Sequence, residues 1–177
     1  MAEKIEYVRL VENERRVADS LAAVSRHWRP GQERFLFVSP HDDDVAIGAG
    51  IFMQLAQKEG VPVAVAVVTD GAMGYCSAEE RQGIVEIRRA ETFGAYEHLG
   101  VPNAMIHRFE FPDCQLGQYQ GRRPARPDDA AVIAGHTGLQ NALTYVLRSF
   151  RPTQVFVPTN TDLHPDHRIV HSELMIS

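Results

Sequence analysis

Short apolar runs alternate with longer amphipathic stretches along the chain, and this pattern predicts alternating strands and helices. Residues 61–69 form a near-continuous apolar run, as expected for a central parallel strand that is covered on both faces. The other strands are predicted at residues 34–39, 105–109 and 154–158, and the helices at residues 5–27, 46–59, 78–99, 129–150 and 167–175. Residues 111–128 carry glycines and prolines without periodicity and are predicted to form a long loop.

The order of these elements predicts an α/β fold. Strands that alternate with helices form βαβ units, which give a parallel sheet with right-handed crossovers. We therefore expect a Rossmann-like three-layer sandwich with a mostly parallel sheet and the strand order 3-2-1-4. In this order the first and fourth strands are neighbours at the switch point, where ligands bind beyond the carboxyl ends of the strands. The length suits one domain, residues 1–177, with a full hydrophobic core.

Composition and charge narrow the function classes. A net charge of −5 and a pI of about 5.9 give no general attraction for phosphate backbones, so nucleic-acid binding is not expected. The longest apolar stretch, residues 61–68, is too short for a transmembrane segment, and the N-terminal region shows no apolar core of a signal peptide. Cys76 and Cys114 are isolated, which indicates neither a disulfide framework nor a thiolate metal site. We expect a cytoplasmic protein.

Two clusters of histidine and aspartate follow the first and fourth predicted strands. Residues 41–44 read His-Asp-Asp-Asp, and residues 164–167 read His-Pro-Asp-His. Because the carboxyl ends of these strands are expected to be neighbours, the two clusters should meet in space. Carboxylate and imidazole are ligands of hydrolytic metals, and a further aspartate and histidine can carry protons. The combination predicts a metal-dependent hydrolase.

Each cluster also has a simpler interpretation. An aspartate near a helix N-terminus can cap free backbone N–H groups, and the histidines of the second cluster can belong to a polar loop. Three consecutive aspartates repel one another without a cation, which favours a metal. His167 and His171 form a rival ligand pair at helical spacing, but Arg168 occupies the position of the glutamate that a metalloprotease helix requires.

The same residues resemble the motifs of the LmbE-like zinc deacetylases, also called the N-acetylglucosaminyl-phosphatidylinositol de-N-acetylase family. The first family motif reads His-Pro-Asp-Asp, and residues 41–44 are similar to it with Asp42 in place of proline. The second motif, His-Pro-Asp-His, is present unchanged at residues 164–167. Residues 69–71, 88–101 and 111–113 are similar to further family features, so the resemblance runs from Phe35 to the C-terminus.

The resemblance implies a reaction and a cofactor. Family members remove an N-acetyl group from substrates that contain N-acetylglucosamine, which releases acetate and a free amino sugar. The implied metal is one Zn²⁺ held by His41, Asp44 and His167, with other divalent metals as alternatives. Family members usually continue beyond the second motif, and we therefore expect this chain to be truncated at its C-terminus.

The resemblance also implies roles for residues beside the metal. Asp43 is the expected general base, and His164 is expected to stabilise the oxyanion or to protonate the leaving amine. Asp166 is expected to orient His164. Arg88 and Asp113 are candidate contacts to hydroxyls or to an anionic group of the substrate.

Two other function classes stay open. A phosphoesterase on the same scaffold would favour Mg²⁺ or Mn²⁺ on oxygen-rich ligands, and Asp42 adds one carboxylate of that kind. A non-catalytic relative would bind an acetylated sugar without hydrolysing it. The expected partner is a small N-acetylated sugar conjugate, selected in part by the loop at residues 111–128, and a homo-oligomer is an alternative to a monomer.

Overall fold

The computed structural model describes residues 5–177, so the first four residues of the expected domain lie outside the described part. Its strands and helices in chain order are β1 (Tyr7–Val11), β2 (Glu14–Ala18), α1 (Leu21–Val24), β3 (Phe35–Ser39), α2 (Asp44–Lys58), β4 (Val63–Thr69), α3 (Ile84–His98), β5 (Ile106–Phe111), β6 (Arg123–Pro124), β7 (His136–Thr137), α4 (Leu139–Phe150), β8 (Gln154–Phe156) and α5 (Pro165–Met175). Short 3₁₀ turns lie at Asn103–Met105 and Leu116–Tyr119.

The central sheet has four strands in the order β5-β4-β3-β8. All three pairings are parallel. Because β3, β4, β5 and β8 correspond to the first to fourth predicted strands, the predicted order 3-2-1-4 is confirmed. The carboxyl ends of β3 and β8 therefore lie side by side, which is the place where the two His-Asp clusters were expected to meet.

The two faces of the sheet contribute to two separate cores. Phe35 and Phe37 of β3 pack in a cluster with α2 and α3, whereas Leu36 and Val38 pack in a second cluster with α4 and α5. This division follows from the strand geometry, because successive side chains point to opposite faces. The result is the predicted three-layer sandwich, in which every residue of β3 and β4 is buried.

The predicted helix over residues 5–27 is wrong. Strands β1 and β2 form an antiparallel hairpin there, and the one-turn helix α1 follows it. Glu12 and Asn13 occupy the turn with φ values of 51° and 69°, the conformation that a tight two-residue hairpin turn requires. Val8 and Val17, whose spacing suggested a helix, face each other across the hairpin.

Two other predicted helices begin later than expected. Helix α3 begins at Ile84 rather than at residue 78, and helix α4 begins at Leu139 rather than at residue 129. Gly135 and Gly138 before α4 have φ values of 75° and 106°, which interrupt any helix, and the intervening β7 pairs with β6. Within residues 5–177, no helix has both the length and the apolar character needed to cross a bilayer.

Candidate metal centre and active site

Both His-Asp clusters lie at the carboxyl edge of the sheet. His41 stands in the loop between β3 and α2, and α2 begins three residues later at Asp44. His164 is the N-cap of α5, with Pro165 as the first helical residue, a position where the fixed φ of proline suits the helix. One turn of α5 then places His167 toward the first cluster. Nδ1 of His41 lies 3.2 Å from Nε2 of His167, so the expected meeting of the clusters is confirmed.

The three residues expected to hold a metal present one atom each to a common point. Oδ2 of Asp44 lies 3.2 Å from Nδ1 of His41 and 3.1 Å from Nε2 of His167, and the two ring nitrogens are 3.2 Å apart. Metal bonds of about 2.0–2.2 Å require neighbouring donor atoms to lie about 3.0–3.5 Å apart. The triangle of His41, Asp44 and His167 therefore has the size of a three-ligand face for a small divalent ion.

Carboxylates lie on the far side of both rings. Nδ1 of His167 lies 3.0 Å from Oδ2 of Asp162 and donates its proton there, so its Nε2 carries the lone pair. Nε2 of His41 lies 3.2 Å from Oδ1 of Asp113, and its Nδ1 faces the triangle. Two ring nitrogens and a carboxylate oxygen at this separation favour a cation between them, so the donor set fits Zn²⁺.

His41 lies among carboxylates on both sides of its ring. Besides Asp113, Oδ2 of Asp166 lies 3.5 Å from its Nε2. Burial would lower the pKa of His41, but the hydrogen bonds with Asp113, Asp166 and Asp44 outweigh burial and raise the pKa to about 12. The carboxylates around this ring thus favour positive charge at its position, whether a proton or a metal ion supplies it.

Asp113, a predicted substrate contact, is buried, with 6% of its surface exposed. Its Oδ2 accepts a hydrogen bond of 3.0 Å from the backbone N–H of Met73. Its Oδ1 has no partner other than Nε2 of His41, which lies 3.2 Å away. Burial would raise the pKa of Asp113, but the bonds with His41 and Met73 lower it. This geometry suits a carboxylate that orients a metal-binding imidazole.

His164 lies beside the triangle without being part of it. Its ring centroid is 4.6 Å from that of His41 and 5.1 Å from that of His167. Its Nδ1 accepts a hydrogen bond of 3.2 Å from the backbone N–H of Asp166, so the proton of the neutral ring is on Nε2. The contact between Asp166 and His164 thus uses the Asp166 backbone. The Asp166 carboxylate instead accepts from the backbone N–H of Cys114 and faces His41.

Asp162 belongs to the site, although sequence reasoning did not single it out. Its Oδ1 accepts from the backbone N–H of His164 at 2.9 Å, while its Oδ2 accepts from the His167 ring. These two bonds lower the pKa of Asp162. A turn-forming Asp two residues before the motif was the available signal, because an Asx turn of this kind fixes the entry into a helix.

The remaining aspartates of the first cluster differ in their surroundings. Asp43 is exposed at the N-cap position of α2, and its side chain makes no capping bond. Asp42 is partly buried, and its Oδ2 lies 4.0 Å from Nε of Arg88. Burial raises the pKa of Asp42, opposed by Arg88. The structure thus separates a free carboxylate, Asp43, from one that faces an arginine.

Arg88 is already engaged by protein groups. Its Nη1 donates to Glu91 at 2.8 Å, and its Nη2 donates to the carbonyl oxygen of Tyr75 at 2.9 Å. Its buried Nε has no hydrogen-bond partner and faces Asp42. The guanidinium therefore ties α3 to the loop after β4. Its expected contact with the substrate would have to use the N–H donors that these bonds leave over.

A separate cavity of about 950 Å³ lies between the N-terminal hairpin and the end of the sheet where β8 begins. Tyr7, Phe52 and Thr153 are among its lining residues. None of the histidines and aspartates of the two clusters lines this cavity, because they lie at the opposite edge of the sheet. We place the candidate active site at the donor atoms, because the volume of a cavity does not show which reaction it could support.

The fold and the site define the class of this protein: an α/β protein with a parallel sheet and a histidine and aspartate donor set at its switch point. The chain belongs to the PIG-L family, described as GlcNAc-PI de-N-acetylase, whose pattern matches residues 36–176. This result confirms the family that the two motifs indicated.

Curated relatives carry deacetylase names. The chain is 31% identical over 140 residues to diacetylchitobiose deacetylase of Thermococcus kodakarensis, covering 77% of this chain and 45% of the relative. It is 30% identical over 169 residues to 1D-myo-inositol 2-acetamido-2-deoxy-alpha-D-glucopyranoside deacetylase of Kineococcus radiotolerans, covering 85% and 45%. It is 26% identical over 142 residues to probable N-acetyl-alpha-D-glucosaminyl L-malate deacetylase 2 of Bacillus cereus, covering 77% and 56%. The chain thus spans about half the length of these relatives.

Solved structures share the fold. N,N'-diacetylchitobiose deacetylase of Pyrococcus horikoshii is 25% identical with a TM-score of 0.59, over 82% of this chain and 55% of that one. The hydratase GalB of Pseudomonas putida has a TM-score of 0.62 at 22% identity, over 81% and 55%. The second likeness extends to the fold alone, because one fold can host several activities. Function must therefore be argued from the residues of the site.

Proposed function

We propose that this chain is a zinc-dependent N-deacetylase domain, which hydrolyses the N-acetyl group of an N-acetylglucosamine-containing conjugate to acetate and a free amine. The observation that supports this most directly is the triangle of His41 Nδ1, Asp44 Oδ2 and His167 Nε2, with sides of 3.1–3.2 Å. The deacetylase names of the curated relatives support the same reaction. The three ligands, the base and the second histidine are all present in residues 5–177, which we propose form a single domain.

His41, Asp44 and His167 would hold the ion. Zinc bound at this position would act as a Lewis acid that activates water and polarises an acetyl carbonyl. Asp113 and Asp162 hold the rings of His41 and His167 from behind, so that the lone pairs stay directed into the triangle. The ligand set is thus positioned before any substrate arrives.

Asp43 is the proposed general base. It directly precedes the ligand Asp44, it is exposed, and its side chain is not used to cap α2. A carboxylate that is free of strong internal hydrogen bonds can take a proton from the attacking water and pass it on. Asp42, which faces Arg88, is less suited to this task.

His164 has two proposed roles: it stabilises the negative oxygen that forms during the reaction, and it protonates the leaving amine. Because its Nδ1 accepts from the Asp166 backbone, its N–H is on Nε2. That N–H can donate to the negative oxygen that forms when water adds to the amide carbon. It can then supply the proton that the leaving amine requires.

Release of acetate is the experiment that tests this proposal. The purified protein is stripped with a chelator, reloaded with Zn²⁺, and incubated with diacetylchitobiose and with N-acetylglucosaminyl inositol. We expect acetate only from the reloaded protein, and none from the Asp44→Asn variant. Asp19→Asn, a change of an exposed carboxylate just after the N-terminal hairpin, is the matched control and should keep its activity. Absence of acetate from the reloaded unmodified protein would contradict the proposal.

A phosphoesterase is the second candidate. The grouping of His41, Asp113 and Asp166 provides two carboxylates on the other side of the His41 ring, and oxygen-rich ligands favour Mg²⁺ or Mn²⁺. Phosphate release from phosphorylated sugars with Mg²⁺, without acetate release with Zn²⁺, would favour this alternative. The nitrogen-containing triangle favours zinc and the deacetylase.

A further inference from the structure

Two arginines behind the first His-Asp cluster, Arg88 and Arg108, contact other groups of the protein. Arg88 donates to Glu91 and to the carbonyl of Tyr75, and its Nε faces Asp42. Its side chain is 25% exposed. Arg108 is 4% exposed and donates to Thr92 and to the carbonyl of Asp70. Each guanidinium therefore already lies beside carboxylates of the protein, with Glu91 and Asp42 near Arg88 and Glu110 near Arg108.

Carboxylates, in contrast, surround the metal triangle. Asp44 is part of it, Asp113 and Asp166 lie behind His41, and Asp162 lies behind His167. Asp43 is exposed beside Asp44. Even with a divalent ion in place, these carboxylates outnumber the positive charges of the site.

Asp42 has a distinct effect on this balance. It directly follows His41, and its carboxylate is the one that faces the otherwise unpartnered Nε of Arg88. The backbone carbonyl of Asp42 is held by the hydroxyl of the buried Tyr96 at 3.3 Å. Asp42 therefore adds a negative charge beside Arg88 and next to His41, and this charge would repel an anionic group of a substrate that approached Arg88.

We propose that Asp42 and Arg88 make this site selective for N-acetylated sugars with a neutral aglycone over those with an anionic aglycone. This inference rests on the proposed deacetylase function and names the substrate class within it. The carboxylates of a partly buried site repel an anionic aglycone and so weaken its binding. Arg88, the arginine beside Asp42, already pairs with carboxylates of the protein.

Two conjugates with the same sugar and the same anomeric bond provide the test. N-Acetyl-α-glucosaminyl inositol has a neutral aglycone, whereas N-acetyl-α-glucosaminyl malate carries two carboxylates. With zinc-loaded protein at pH 8 and low ionic strength, we expect kcat/KM for the inositol conjugate to exceed that for the malate conjugate by roughly tenfold or more. Added salt should reduce this ratio, because ions in the solvent screen the repulsion between the partly exposed carboxylates of the site and the malate group.

Asp42→Asn removes the charge with little change in shape. We expect the ratio of the two kcat/KM values to fall by roughly threefold or more in this variant, mainly through a gain on the malate conjugate. Glu86→Gln is the matched control, because Glu86 pairs with Arg89 on the exposed surface of α3, and its ratio should not change. The salt series on the unmodified protein tests the same point if Asp42→Asn fails to fold.

The outcomes separate the two proposals. Equal or faster hydrolysis of the malate conjugate, or a preference that neither salt nor Asp42→Asn alters, would overturn the charge selectivity and leave the deacetylase in place. No acetate from either conjugate, nor from diacetylchitobiose, would overturn the deacetylase itself.

Discussion

Nε2 of His41 lies 3.2 Å from Oδ1 of Asp113, an oxygen that is buried and otherwise without a hydrogen-bond partner. The opposite nitrogen of the same ring, Nδ1, faces Asp44 and His167. One imidazole therefore connects a buried carboxylate to the candidate metal position. Carboxylates placed in this way fix the tautomer and the direction of a metal-binding histidine.

Asp113→Asn should weaken zinc binding about 10- to 100-fold, the usual effect of losing a carboxylate behind a ligand histidine. The measurement is the zinc dissociation constant in competition with a chelator, followed by kcat at saturating zinc. Asp19→Asn, an exposed substitution after the N-terminal hairpin, is the control. If zinc affinity is unchanged while KM for the sugar rises, Asp113 contacts the substrate, as the sequence predicted, and does not orient His41.

Asp43→Asn should reduce kcat by roughly 10²–10⁴ while zinc stays bound, because the variant loses a proton acceptor but no ligand. Metal content by elemental analysis and kcat from acetate release are the two readouts. Asp44→Asn, one position later, should lose the metal as well. Near-normal turnover by Asp43→Asn would remove Asp43 from the proposed mechanism.

Asp162→Asn should weaken zinc binding through His167, whose ring it holds at 3.0 Å. Asparagine can still accept from the backbone N–H of His164, so the entry into α5 is preserved. We expect a loss in zinc affinity similar to that of Asp113→Asn, with little change in the unfolding midpoint of the metal-free protein. A lower midpoint with normal zinc affinity would show that Asp162 serves the helix alone.

Glu33→Gln should make the free energy of unfolding less dependent on pH in the acid range. Burial would raise the pKa of Glu33, but hydrogen bonds from Thr153, the Arg29 backbone and Gln154 outweigh burial and lower it. A lowered folded pKa stabilises the protein above the unfolded pKa of about 4.3, and this contribution is lost as the pH falls through the folded pKa.

Urea unfolding at pH 7 and pH 3 measures this effect. At pH 7 we expect Glu33→Gln to cost about 1–3 kcal/mol, and at pH 3 the difference from the unmodified protein should shrink. Glu33 and Thr153 lie at the opposite end of the sheet from the metal triangle, so zinc binding should not change. Glu79→Gln, an exposed change, is the control, and an equal loss at both pH values would contradict the assignment.

The strand order and the meeting of the two clusters were predictable because both depend on rules of chain connection. Continuous apolar runs identify buried parallel strands, and strands 1 and 4 of this order must be neighbours. His41 and His167 are 126 residues apart in sequence and yet in contact for that reason. Their roles stay predictions, because roles depend on an ion and a substrate.

The details that could not be predicted depend on side-chain direction. Sequence does not show that the carboxylate of Asp166 turns to His41 while its backbone N–H serves His164. Nor does it show that Arg88 donates to Tyr75 and Glu91. The N-terminal hairpin was missed because Val8 and Val17 fit a helical spacing as well as a strand pairing, and the turn at Asn13 decides between them.

The short strand β8 has a consequence for the order in which the site is built. It pairs with β3 through only three residue positions, and it carries the chain toward His164 and His167. A ribosome must therefore synthesise almost the entire described chain before His167, the third proposed ligand, exists. If zinc is the ion, its uptake during synthesis should report completion of the central sheet, and bound zinc should stabilise this last and least extensively paired strand of that sheet by mass action.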